Sequence, residues 1–301
     1  MRMLVSGASG FIGSALVPAL RAAGHHVIRL ARPSSQLSEP VIRWDPAAGV
    51  LDATPVEGLE AVIHLAGESI IGRWTPTKKA AIRDSRMHGT RLLCTTLAKM
   101  TKPPQVVVCA SAIGYYGNRG EELLTEQSAP GQGFLADVGQ AWEAATDPAR
   151  HAGIRVVNLR IGLVLSPVGG ALRQMLPPFR FGMGGPLGSG RQHMSWIAMD
   201  DLLGAVGHAL TTEALQGPVN AVAPHPVTNR EFTRTLGRVL SRPTVMTVPT
   251  IAVRWLFGEM GEELLLASTR AEPARLLATG YHFRYPNLED ALRHLLRPTA
   301  R

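Results

Sequence analysis

Three glycines at three-residue spacing, Gly7, Gly10 and Gly13, stand in the segment MLVSGASGFIG at residues 3–13, between an apolar run and a helical stretch. So tight a strand-to-helix turn needs residues without a Cβ, because backbone N–H groups and the positive end of the helix must come close to a pyrophosphate. The same glycines could merely pack a helix on a sheet, and the pattern alone does not separate the two uses. The flanks favour the first. Residues 3–6 predict a buried strand, 11–23 a helix stopped at Gly24, and 26–30 a second strand, so the motif opens a complete βαβ unit. Ser9, Phe11 and Ile12 lie in the turn and join the glycines as candidate dinucleotide contacts, as do Leu65, Ala66, Gly67 and Glu68 after the third strand.

The second strand indicates which dinucleotide. An Asp or Glu about 20 residues after the glycines would hold the ribose 2′-hydroxyl of NAD. This chain instead reads Arg29-Leu30-Ala31-Arg32-Pro33-Ser34-Ser35, with the nearest acid at Glu39. Arg32, with Ser34 and Ser35, can hold a 2′-phosphate through charge-assisted hydrogen bonds. NADP (NADPH) is therefore expected over NAD; a solvated surface arginine is the plain alternative.

A second set of reactive side chains follows the fourth strand in the run SAIGYYG: Ser111, Tyr115 and Tyr116. A phenol there can donate a proton to a carbonyl oxygen, and Arg119 can stabilise a phenolate electrostatically. Simple packing is the other reading of tyrosines in such a turn. Glu68 and the Arg73-Trp74 pair could face a substrate or only solvent. Asp200 and Asp201 predict the cap of a following helix.

These residues need a frame to hold them. Strands are predicted at 61–65, 105–109 and 154–159, with helices at 77–100 and 135–150 between them, which is the winding of a parallel sheet. Residues 167–190 are rich in Gly and Pro and read as a long loop over the carboxyl ends of the strands. Glycines 182, 184, 185, 188 and 190 lack the helix start and Lys-Ser/Thr of a P-loop, so a mobile lid is the better reading. Residues 200–210 predict a helix and 218–222 a returning strand. Everything from 228 onward reads as a helical cap punctuated by Pro249, Pro273 and Pro286.

The chain has 301 residues and a formal charge of +8, which raises the question of nucleic acid. Its 27 arginines and four lysines are scattered without a like-charge block or interleaved aromatics, so no nucleic-acid partner is expected. Cys94 and Cys109 have neither disulfide-framework nor metal spacing. With no charged leader before an apolar run and no stretch of about 18 apolar residues, a cytoplasmic protein without a membrane partner is expected.

The glycine pattern, His64-Leu65-Ala66-Gly67, the SAIGYYG run, and Ser195-Trp196-Ile197 ahead of Asp200-Asp201 together resemble the extended short-chain dehydrogenase/reductase superfamily. GGALRQMLPPF, GGPLGSGRQHMSWI and the tail at 249–296 resemble, more narrowly, its atypical sugar-nucleotide-epimerase-like members with a C-terminal domain of unknown function. The likeness spans essentially the whole chain. It implies a Rossmann-type doubly wound parallel α/β sheet (residues 1–165 and 200–227) and a smaller, mostly helical substrate-side domain (166–199 and 228–301). It also implies that Arg191, His193 and Trp196, with Arg160 beyond the fifth strand, meet the substrate, an arginine suiting a diphosphate.

Active members of that superfamily place a Tyr and a Lys four residues apart on one helical face, where the cation lowers the phenol's pKa. Here the fourth residues after Tyr115, Tyr116, Tyr281 and Tyr285 are Arg119, Gly120, Tyr285 and Glu289, and the last lysine is Lys102. Counting back from Glu143 puts Leu135 and Gly139 at the dyad's positions. Ala112 replaces the usual serine, with Ser111 adjacent. The expectation is an NADP-binding, epimerase- or reductase-like protein, possible as a homodimer, acting on a small carbonyl or nucleotide-linked sugar without the dyad. A non-catalytic NADP(H)-sensing module is the alternative.

Overall fold

The computed structural model describes residues 1–32, 41–52 and 54–297. The first half runs β1 (Arg2–Ser6), α1 (Gly13–Ala22), β2 (His26–Ala31), β3 (Val41–Asp45), β4 (Val50–Leu51), β5 (Ala61–His64), α2 (Pro76–Ala98), β6 (Val106–Ala112) and β7 (Leu123–Leu124). There follow α3 (Phe134–Ala144), α4 (Asp147–His151), β8 (Arg155–Ile161), β9 (Leu163–Leu165), α5 (Gly170–Arg180), β10 (His193–Met194), β11 (Trp196–Ala198) and α6 (Met199–Thr211). The chain ends with β12 (Gly217–Ala221), β13 (Val227–Thr228), α7 (Asn229–Leu240), α8 (Thr250–Met260), β14 (Arg270–Ala271), α9 (Ala274–Ala278) and α10 (Leu288–Leu295).

Eight strands form one sheet in the order β12-β8-β6-β5-β1-β2-β3-β4, parallel except for the β3–β4 edge. The order reverses direction beside β1, which puts a crevice at the carboxyl ends of β1 and β5, where open α/β sheets bind ligands. Strands covered on both faces read as unbroken apolar runs, as Val106, Val107 and Val108 do, because neither face meets water. Leu16, Val17 and Leu20 of α1 and Leu202, Ala205 and Val206 of α6 pack on one face with Val5, Ile63 and Val108. Leu93 and Leu97 of α2 and Trp142 of α3 pack on the other with Leu4, Val62 and Val107.

A separate core, built from Leu172, Leu176, Phe179, Trp196, Phe232, Leu236, Leu288 and Leu292, supports the substrate side. Its existence corrects the reading of residues 167–190 as one long loop. Residues Gly170–Arg180 form α5 despite Pro177 and Pro178, since the carbonyls those prolines leave without donors belong to Arg173 and Gln174, which are exposed to water. The glycine-rich stretch after it is pinned rather than free. Gly188 N–H donates to the Val248 carbonyl at 2.8 Å, Val248 N–H to the Pro186 carbonyl at 2.9 Å, and Leu187 forms a β-bridge with Val248. The helix expected at 135–150 is two, broken after Ala144, and the C-terminal part is not wholly helical, since β14 pairs in parallel with β7.

Candidate functional site

The first glycine of the turn adopts φ +67°, and a Cβ there would lie 2.7 Å from the Leu65 carbonyl carbon. A Cβ on Gly13 would overlap the Gly7 carbonyl oxygen, so helix α1 can start directly against the turn only as glycine. Gly10 N–H closes the turn on the Gly7 carbonyl at 2.9 Å. No side chain caps the N-terminus of α1, which leaves its positive end open to an anion.

What holds the opposite wall escaped the sequence reading. Ser6 Oγ accepts from the N–H groups of Leu65 and Ala66 at 3.2 and 3.3 Å and lies 2.6 Å from His64 Nδ1. His64 is fully buried, and burial pushes its pKa down to about 4, so the ring is neutral. With both Ser6 lone pairs taken, the hydroxyl must donate to Nδ1, so the proton is assigned to Nε2, which faces Thr90 Oγ1 at 3.1 Å. Trp142 Nε1 donates to the same hydroxyl at 3.0 Å. This chain of bonds fixes the Leu65–Ala66 backbone against Gly7. Its only sequence signal is a histidine at the end of an apolar strand.

Between the turn, the ends of β2 and β3, the 65–68 segment and α2 lies a cleft of about 470 Å³. Gly7, Ser9, Gly10, Arg32, Leu65, Ala66, Gly67 and Glu68 all line it. Arg32 is exposed at its rim, with its carbonyl accepting from Arg43 Nη1 at 2.9 Å. Ser34, expected beside it, lies outside the described residues. Phe11 does not line this cleft; its ring packs where a Cβ on Gly169 or Gly170 would stand. Ile12 is the residue before α1. Glu68 is ion-paired with Lys78 at 2.6 Å, which, with Arg32 and Arg86 nearby, holds its carboxyl below the usual range. Arg86 lies over Trp142 and donates to the Glu68 carbonyl at 2.9 Å; burial draws its pKa down to about 10.

At the carboxyl end of β6, the structure joins residues that the sequence kept apart. Glu143 of α3 accepts from Ser111 Oγ, Arg160 Nε and Arg160 Nη2, each at 2.8 Å. The pair is sequestered, with side-chain exposures of 3% for Arg160 and 12% for Glu143. Arg160 Nη1 donates to the Tyr116 hydroxyl at 2.9 Å, and its guanidinium carbon sits 3.5 Å from the centroid of the Tyr115 ring. Leu135 and Gly139 do face this turn: a Cβ on Gly139 would lie 3.2 Å from Tyr115 Cα, and one on Gly114 would lie 3.1 Å from Leu135 Cβ.

Two of the expected roles change on this geometry. Tyr116 is fully buried, and its hydroxyl lies 2.7 Å from Asn220 Oδ1 and 2.9 Å from the Thr125 carbonyl, so its proton faces protein rather than substrate. Burial raises its pKa, against an opposing pull from Arg160. Arg119, expected to stabilise a phenolate, instead pairs with Glu122 at 2.7 Å; Arg160 is the cation beside both tyrosines. Tyr115 is the half-buried phenol of the two.

The residues expected to meet a diphosphate are dispersed. Arg160 belongs to the buried pair just described, and Trp196 is fully buried in the substrate-side core, donating to the His225 carbonyl at 3.2 Å. His193 is half-buried, its pKa lowered by burial and by Arg270. Arg191 is exposed. Asp201 is no helix cap: its buried carboxylate accepts from the N–H groups of Arg284 and Tyr285 at 2.7 and 3.0 Å and tethers the C-terminal segment to α6.

A doubly wound sheet, a glycine turn against an uncapped helix and a cleft beside it define a Rossmann-type dinucleotide-binding protein. Residues 3–222 match the NAD dependent epimerase/dehydratase family, and residues 248–295 match a domain of unknown function, DUF1731. The chain belongs to that epimerase/dehydratase family and is an atypical short-chain dehydrogenase/reductase. It is 44% identical over 289 residues to epimerase family protein Mb2239 of Mycobacterium bovis, covering 96% of this chain and 95% of that protein. To human epimerase family protein SDR39U1 it is 38% identical over 302 residues, 98% of this chain and all of the other. A crystal structure of human SDR39U1 (isoform 2) with NADPH superposes with a TM-score of 0.88 at 36% identity, over 98% of this chain and 99% of that one.

Proposed function

We propose that the chain is an NADPH-dependent reductase of a small carbonyl compound not linked to a nucleotide, with Tyr115 as its proton donor. The observation that carries this reading is the half-buried phenol of Tyr115 at the end of β6, its ring seated 3.5 Å from a guanidinium that Glu143 holds in place. Tyr115 packs against Gly139, and Leu135 against the neighbouring Gly114; these are the two positions that the family resemblance assigns to the dyad. The open N-terminus of α1 and the positive φ of Gly7 fit a pyrophosphate, and Arg32 at the rim suits a 2′-phosphate. The NADPH bound to human SDR39U1 supports the same cofactor here. When bound, NADPH would supply a hydride. The protein's part is to hold the carbonyl against a positioned phenol, which gives it the proton, while the fixed cation beside the ring stabilises the phenolate left behind.

A nucleotide-linked sugar is the weaker choice of substrate, since Arg160 and Trp196 are spent on internal partners, which leaves Arg191 as the one exposed arginine among the described residues expected at a diphosphate. A sensing role without catalysis is favoured by one observation: the Ser111 hydroxyl points to Glu143. The test begins with titration of the protein by NADPH and NADH, following nicotinamide fluorescence, for wild type and Arg32→Ala. Small aldehydes, ketones and quinones are then screened for NADPH oxidation. Tyr115→Phe should cost about 100-fold or more in turnover with NADPH affinity kept, whereas Tyr116→Phe should leave turnover within a few-fold. NADPH binding with no turnover on any carbonyl would favour the sensor.

A further inference from the structure

The substrate-side domain carries a group of large apolar side chains in water. Phe181 and Met183 follow α5; Val245 and Met246 precede α8; Ile251, Trp255 and Leu256 belong to α8. They are 54 to 88% exposed, Trp255 the most. The two segments before α8 run side by side, joined by the Leu187–Val248 bridge and by the bond from Arg242 Nε to the Arg180 carbonyl at 2.8 Å. Helix α8 is anchored from its other side, where Val253 and Met260 are buried. Isolated exposed apolar residues need no explanation, but seven on adjoining segments of one small domain do.

The unpaired charge near them is basic. The sequence has no Asp or Glu from 148 to 199 or from 232 to 258, while arginines stand at 173, 180, 191, 234, 242 and 254, and Glu259 at the end of α8 is paired with Lys79 at 2.7 Å. Glu262 pairs with Arg254, but among the described residues no carboxylate pairs with Arg173, Arg180 or Arg242. A second copy of this chain meeting this surface about a twofold axis would bring the two arginine rims together, which disfavours self-association. Protruding Trp, Phe, Ile and Leu side chains with Arg180 and Arg242 on the same segments have the composition of a surface that enters the headgroup region of an anionic bilayer, the aromatic rings at headgroup level and the guanidiniums on phosphates. No helix among the described residues is long and apolar enough to cross a membrane, so the contact would be interfacial.

We propose that the exposed apolar surface formed by residues 181–183, 245–246 and α8 docks the protein peripherally on anionic lipid. This goes beyond the proposed reductase activity and does not depend on it. The test is co-sedimentation of the full chain with sucrose-loaded vesicles of phosphatidylglycerol and phosphatidylcholine, against phosphatidylcholine alone. Sedimentation is expected with the mixed vesicles, weaker at high salt, and little with phosphatidylcholine. Trp255→Ala and Phe181→Ala should each reduce partitioning by about tenfold. Because both side chains are solvent-exposed, thermal midpoint and NADPH affinity should stay at wild-type values. Absence of binding to mixed vesicles would overturn the proposal, as would binding that the double variant retains, which would reflect only the net charge of +8. A dimer in sedimentation equilibrium that the double variant converts to monomer would equally overturn it, in favour of a second copy.

Discussion

Removing the Glu143 carboxylate tests whether the Arg160 cation is as dry as the structure makes it. The carboxylate accepts three hydrogen bonds of 2.8 Å, two from Arg160, whose side chain is 3% exposed. In Glu143→Leu the guanidinium keeps the Tyr116 hydroxyl at 2.9 Å and the two tyrosine rings but no anionic partner. Leaving a buried charge without its partner costs about 3–5 kcal/mol. With an unfolding entropy of about 2.1 cal/mol/K per residue, a 301-residue chain has about 0.6 kcal/mol/K, so the thermal midpoint should fall by about 5–8 °C. Arg160→Met in the Glu143→Leu background removes the stranded charge and should recover most of the loss, because a buried ion pair and an apolar pair of similar size are close in net stability. Differential scanning calorimetry of wild type, both single variants and the double closes a double-mutant cycle, with an expected coupling of about 3 kcal/mol or more, since each single variant strands a charge that the double removes. A Glu143→Leu midpoint within about 1 °C of wild type, or two additive single effects, would show the pair to be hydrated and the reasoning wrong.

Gly7→Ala should weaken NADPH binding by about tenfold or more in the fluorescence titration, since its φ of +67° and its approach to the Leu65 backbone force the turn to move. His64 gives a pH signature. Its folded-state pKa of about 4 lies below the ordinary 6.5, so the unfolded chain takes up a proton first as pH falls. The stability it protects is complete above about pH 6.5 and lost progressively toward pH 4, by about 3 kcal/mol in all, and His64→Gln should flatten that part of the pH profile of the unfolding free energy. Asp201→Ala strands the Arg284 and Tyr285 N–H groups, at about 1–3 kcal/mol each, and hydrogen exchange should rise from residue 284 through α10 while the β1–β5 amides keep their protection. Unchanged exchange at Arg284 and Tyr285 would mean that the tether carries no load.

The sequence by itself determined the parts that rest on local rules. Gly7 and Gly13 announce the turn because only a residue without a Cβ can stand there, and the apolar runs at β1, β5, β6 and β8 announce the sheet because strands covered on both faces cannot alternate. The lack of an acid after β2 and the exposed Arg32 are equally local. Helix α5 was hidden because Pro177 and Pro178 argue against a helix there, and spacing does not tell that water reaches Arg173 and Gln174, whose carbonyls lose their donors. The candidate site was legible in its members and not in its pairings: Ser111, Tyr115, Tyr116 and Arg160 were each identifiable, but not that Glu143 would claim Arg160 from the substrate. Nor could spacing tell that Tyr116 would turn inward to Asn220 and Tyr115 remain at the surface of the pair. Such partners lie 17 to 104 residues apart along the chain, and which of them meet is decided by the order in which β6, β8 and β12 stack beside α3. Burial then decides the chemistry, because the same arginine that would hold a phosphate in water becomes, once desolvated against Glu143, a fixed charge beneath a phenol.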